Sequence, residues 1–286
     1  MGESKRRRAE IDALKARSFP SDQIERWERD RCVAFAIALA RRTDWLLHVD
    51  WLAESKALET SRFVIPIRAY VGTDADDVFD VTGSTTLAAF AAKIVEPLIH
   101  REPIRFGIHR RVCATRHYDA FDLTKLRNTG IQVAESKIAE ADAAIRANAG
   151  YLAQIPPRAL PTLPAHQAAR YTWGTCVFYA HQLSQTRGLP AAAMFAEEWD
   201  PAWGVSSANK DGYVHSFVLH PDGTGEDAWG RHPVEKIAAR YHARKWRVDL
   251  ETTGRFIAKM RDERPENLDD ELAKAQMLID RFAATA

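Results

Sequence analysis

The chain has 286 residues, a formal net charge of +1 and three cysteines, and 46% of its residues are hydrophobic. That length and apolar content allow one large or two small domains with a sizeable core, and the near-zero charge argues against a bulk polyelectrolyte partner such as DNA. Cys32, Cys113 and Cys176 are too widely separated for a disulfide framework or a zinc spacing, and no metal or organic cofactor is implied.

The start, Met1 to Glu10, is charged and holds no signal-peptide core, and no apolar run approaches a membrane span. The expected setting is a reducing cytoplasm, without membrane contact, and signal-less secretion stays open. Lys5-Arg6-Arg7-Arg8 reads as a solvated terminus in preference to a phosphate-contacting patch. Ser21-Asp22-Gln23 opens a helix through Trp27, and Cys32 to Leu39 continues as a helix-compatible apolar run. Arg68 to Val71 and Asp80-Val81-Thr82-Gly83 follow, then a helical segment from Thr86 to Val95.

Between His100 and His117 basic residues interleave with Ile104, Phe106 and Ile108, and this alternation predicts a strand with one basic face. A nucleic-acid or acidic-partner surface competes there with a solvated strand face. The solvated face is preferred, because no nucleic-acid-binding signature accompanies the charge. Cys113 in this segment reads as a buried thiol. Ile131 to Tyr151 predicts a surface helix. Pro156, Pro157, Pro161 and Pro164 cannot continue it and mark a linker. The expected domains are residues 1–154 and 155–286.

Thr175 is suited to cap a helix over Cys176 to Arg187, which Gly188 and Pro190 terminate. Glu197 to Gly204, with Trp199 and Trp203 beside acids, reads as a loop lining a groove or simply packed on the surface. Tyr213 to Leu219 predicts a strand. His220-Pro221-Asp222-Gly223 fits a type I turn, which becomes a three-residue loop with a bulge if Gly223 is left-handed. His220 then pairs with Thr224, and Asp227 becomes the diagonal neighbour of His215, roughly 7 Å away on the same face. A two-residue turn would put Asp227 on the opposite face. Lys245 to Leu250 predicts a strand and Leu268 to Phe282 a final helix with a core-packing stripe.

Cys176, His215 and Asp227 thus fall on a helix start, a strand and the next strand. Unpaired amides and the positive helix end favour a thiolate at Cys176. His215 can move protons and Asp227 can fix its tautomer. Each alone reads more simply as a packed thiol, a polar strand residue and a turn acid. The amide of Cys176 can donate to an oxyanion, with Trp173, Tyr171 and Gln167 as candidates for a second donor. Trp173, Tyr171, Trp199 and Trp203 are the candidate substrate-binding residues.

Gly174-Thr175-Cys176 at a helix start, His215 on a strand and Asp227-Ala228-Trp229-Gly230 on the next resemble the papain-like superfamily, closest to its NlpC/P60 and transglutaminase-like branches. The resemblance covers about Tyr171 to Tyr241. It implies a Cys-bearing helix packed on a small antiparallel sheet, and amide hydrolysis or acyl transfer on a peptide or protein substrate.

Arg31 to Leu39 also matches Thr175 to Leu183, and Arg68 to Gly83 matches His215 to Gly230, at offsets of 144 and 147 residues. This reads as an internal duplication. The fold class expected is therefore α+β, with two papain-like or transglutaminase-like lobes. The first is degenerate: Cys32 and Asp80 are present, but Arg68 replaces the histidine and cannot accept a thiol proton. The function expected is a cysteine-dependent amide hydrolase, acyl transferase or deamidase acting from the second lobe. The alternative is a catalytically inert two-lobed binding or structural protein. The substrate and the oligomeric state stay open.

Overall fold

The structure is a computed structural model. It describes residues 18–28, 31–53, 64–74, 76–106, 113–118, 133–158, 163–172, 175–199 and 212–283. The fold is α+β, and the chain divides into two compact units, Met1–Ala159 and Leu160–Ala286.

In the first unit α1 (Ser21–Glu28) leads to α2 (Cys32–Thr43), whose residues from Cys32 to Leu39 are all buried. A helix apolar all round must sit inside a layer of other elements. It ends at Asp44, left-handed with φ 55°, whose amide donates to Ala40 O. β1 (Leu46–Ala53), β2 (Val64–Gly72), β3 (Asp77–Asp80) and β4 (Gly83–Thr86) follow. A helical stretch then runs through α3 (Leu87–Phe90), a π-turn (Ala91–Val95) and α4 (Glu96–Phe106). The strand expected from Ile104 is thus helical through Phe106, and β5 lies later, at Cys113–Tyr118. Ile94, Val95, Leu98 and Ile99 recur at helical spacing and pack on the sheet, carrying the helix into the alternating segment. Residues 107–112 of the basic segment lie outside the described residues. α5 (Glu135–Ala147) and α6 (Ala149–Leu152) complete the unit.

The second unit contains α7 (Ala165–Thr172), α8 (Cys176–Arg187), β6 (Ala191–Trp199), β7 (Tyr213–Leu219), β8 (Thr224–Asp227) and β9 (Gly230–Pro233). After these come α9 (Val234–Arg240), β10 (Ala243–Asp249), α10 (Thr252–Glu263), α11 (Pro265–Leu278) and a closing π-turn (Ile279–Ala283). Met194, Phe217 and Ile237 form the core between the sheet and α9, while Val177, Phe178, Ile257 and Leu268 join α8 to α10 and α11. Full burial of each such side chain contributes about 1.5–3 kcal/mol.

Matched in chain order, the two antiparallel sheets have one strand order, β4-β3-β2-β1-β5 and β9-β8-β7-β6-β10. The offset of 144 residues maps α1 onto α7 and α2 onto α8, end for end. It also maps the left-handed cap Asp44 onto Gly188, φ 65°. The offset of 147 maps β3 onto β8 and β4 onto β9. One irregularity recurs as well: the register slips just after Asp50 opposite Arg68, and just after Met194 opposite His215.

Candidate active site

Cys176 occupies the first position of α8 and is buried, with 2% of its surface exposed. Thr175 does not cap the helix as expected. Its hydroxyl turns back and donates to the carbonyl of Arg170, so the first turn has no side-chain cap. Sγ lies 3.2 Å from the Tyr213 hydroxyl, which lies 2.9 Å from Ser216 Oγ, itself 3.1 Å from Thr253 Oγ1. Three hydroxyls from β7 and α10 therefore form a chain that ends on the sulfur.

The hairpin expected after His215 forms. Gly223 is left-handed at φ 82°, its amide donates to His220 O, and the His220 amide donates to Thr224 O. Val218 pairs with Glu226, the register that places Asp227 opposite Phe217. His215 Nε2 consequently lies 2.8 Å from Asp227 Oδ2. Asp227 also accepts from Arg240 at 2.9 Å and from the Trp229 amide at 2.7 Å.

The other ring nitrogen, Nδ1, lies 2.9 Å from the Tyr241 hydroxyl. That hydroxyl gives its one proton to Thr172 O, 2.8 Å away. Its oxygen can then only accept from Nδ1–H, while Nε2–H faces a carboxylate. With the Tyr241 proton on Thr172 O, both of these contacts are hydrogen bonds only when the ring carries a proton on each nitrogen.

The electrostatics agree. Burial pushes the imidazole down, but the neighbouring Cys176 sulfur and the hydrogen-bonded Asp227 carboxylate raise it to about 9. Burial pushes the Cys176 thiol up. The His215 charge and hydrogen bonds from His215, Tyr213 and the Ser216 backbone outweigh it and hold the thiol below its ordinary value. For Asp227, burial is likewise outweighed by Arg240 and His215, and the acid stays well below the usual carboxylate range. His215 and Arg240 bring two positive charges and Asp227 one negative. A thiolate at Cys176 makes the buried cluster neutral.

The structure thus brings Cys176, His215 and Asp227 into one cluster. Tyr171 is buried against Tyr179, with ring centroids 5.1 Å apart, and its electrostatic neighbours are Arg170, Glu271 and Lys274 instead of the cluster. Trp199 ends β6 and packs on the core beside Met194, where a loop was expected. Trp173 and Trp203 lie outside the described residues. Sequence reasoning missed Tyr213, Ser216, Thr253, Arg240 and Tyr241. Tyr213 and Ser216 flank the histidine and could have been suspected. Thr253 and Tyr241 reach the cluster only through tertiary packing.

In the first unit Arg68 takes the histidine's place, as expected. Its Nε donates to Asp80 Oδ2 at 2.8 Å and Nη1 donates to Glu28 O at 3.2 Å. Glu28 matches Thr172 at the 144 offset, so one guanidinium spans the two anchors that His215 and Tyr241 span together. Pro66 and Ala69 stand where Tyr213 and Ser216 do. Cys32 is buried, and burial pushes its thiol up despite Arg68.

Among the described residues no helix is long and apolar enough to cross a membrane, and no group of three His, Cys, Asp or Glu side chains could hold a metal ion. Comparison with known protein families, with curated proteins and with solved structures returns no match.

Proposed function

We propose that the second unit is a cysteine-dependent amide hydrolase or related acyl transferase or deamidase, of the papain-like kind, acting on a peptide or protein amide. The observation that carries this reading is the cluster's geometry: Cys176 at a helix start with the Tyr213 hydroxyl 3.2 Å from Sγ, in one buried group with a His215 imidazole anchored 2.8 Å from Asp227. Cys176 Sγ attacks the carbonyl carbon, and the collapse of the adduct breaks the C–N bond. The amine leaves with a proton from the His215 ring, which Asp227 anchors at Nε2. Water then gives a proton back to His215 and breaks the thioester, releasing the acid and restoring the ion pair. A primary or side-chain amine in place of water makes the same centre a transferase. A reducing cytoplasm would keep the sulfur free for this cycle.

The test is alkylation of Cys176 by iodoacetamide across pH, followed by peptide mapping. The rate should titrate below the ordinary thiol value of 9.0, and His215→Ala should move the titration upward. Cys176→Ala should abolish activity on peptide amides, and Cys32→Ala should retain it. The second reading, an inert two-unit binding or structural protein, draws on the burial of the sulfur. A thiol that alkylates slowly at every pH would select it.

A further inference from the structure

Cys176, His215, Ser216 and Thr253 are buried, whereas Tyr213 is half-buried. Phe195 stands opposite Tyr213 across β6 and β7, with ring centroids 5.8 Å apart in an edge-to-face contact. Arg247 stands opposite Phe195 across β10 and β6, its guanidinium carbon 4.3 Å from the ring centroid. Arg247, Phe195 and Tyr213 therefore form a row across three adjacent strands, running from an exposed cation to the phenol that touches the sulfur.

Several features suit this row to an anion. Stacking on Phe195 restricts the guanidinium before any ligand arrives, and leaves its planar edge of N–H donors for a carboxylate. Two acids on these strands are engaged elsewhere: Glu197 holds Lys245 at 3.3 Å, and Asp249 accepts the amides of Glu251 and Thr252. Among the described residues the first unit has no such row. There Trp51 is fully buried, opposite Pro66 and Ala114, in the sheet that also lacks the histidine. Strands lie about 4.8 Å apart, so Arg247 and Tyr213 stand roughly 10 Å apart across the sheet. That span corresponds to about two or three residues of extended chain.

We infer that the row of Arg247, Phe195 and Tyr213 is a substrate-docking site. It takes the carboxylate of an acidic peptide-like substrate whose reacting amide lies two or three residues away, at Cys176. This rests on the reading of Cys176 as a reactive thiol and adds the substrate's charge to it.

The experiment compares alkylation of Cys176 in the full chain by iodoacetate, a small carboxylate, and by neutral iodoacetamide, at low salt. The iodoacetate-to-iodoacetamide rate ratio should fall about twofold in Arg247→Gln, the effect of one unit charge at roughly 8–10 Å in a largely aqueous setting. Arg247→Lys should recover most of it, and raised salt should erode it. Arg281→Gln, on the closing π-turn, should leave the ratio where it is. An unchanged ratio in Arg247→Gln, or an equal fall in Arg281→Gln, overturns the docking site and leaves the thiol reading standing. Failure of both reagents to modify Cys176 in the unaltered protein overturns the thiol reading, and the docking site with it.

Discussion

At the scale of single residues, the second unit differs from the first by how two anchors are bridged. Asp227 and Thr172 O are joined by an imidazole and a phenol in series. Asp80 and Glu28 O are joined by one guanidinium. A guanidinium satisfies both acceptors but holds its proton permanently. An imidazole satisfies both only while charged, and so can release a proton where the arginine cannot. Tyr241 is the partner of the ring at Nδ1. Tyr241→Phe strips one partner from the ring and one from Thr172 O, both buried. The expected cost is about 1–3 kcal/mol per stranded group in a urea melt. An imidazole titration followed by NMR should move below its value of about 9 in the same variant.

At the scale of elements, the β7–β8 hairpin sets whether the acid reaches the ring. The left-handed Gly223 adds the residue that keeps Asp227 on the face of His215. Deleting Gly223 should convert the loop to a two-residue turn and send Asp227 to the other face. The expected result is a Cys176 alkylation profile returned to the ordinary thiol range or above it.

This hairpin was legible in the sequence because Pro221 and Gly223 fix its turn chemistry locally. The helix over Cys176 to Arg187 was legible for the same reason, from Gly188 and Pro190. β6 was not. Ala192, Ala193 and Met194 are all fully buried, so the strand shows no alternation, and its alanines have weak strand preference. The helical run through Phe106 was misread because a short alternation outweighed the longer stripe from Ile94 to Ile99. Tyr241 and Thr253 were invisible because their partners lie 26 and 37 residues away in sequence.

At the scale of the whole molecule, the cluster ties stability to pH. His215 is raised from 6.5 to about 9, so its contribution is complete below about 6.5 and is lost as pH rises through about 9. Cys176 is lowered from 9.0, so its contribution is complete above 9.0 and is lost as pH falls through the lowered value. Asp227 is lowered from 3.8, and its contribution is lost only in acid below that. Between the lowered thiol value and about 9 the thiolate adds stability with rising pH while the imidazolium gives it up. Urea midpoints are therefore expected to stay nearly flat across that interval. A steep fall there would mean a charged ring beside a neutral thiol, and would reject the ion pair.

The guanidinium of Arg68 also bears on whether the first sheet could ever regain what the second has. A lone Arg68→His exchange would give up the reach to Glu28 O without supplying a phenol to cover the gap, since Ile94 sits where Tyr241 does. Pro66 and Ala69 would still offer no hydroxyl to the sulfur. That exchange leaves Glu28 O without its guanidinium partner, so the arginine works as a ratchet: a single reversal at Arg68 does not restore the arrangement of the second sheet.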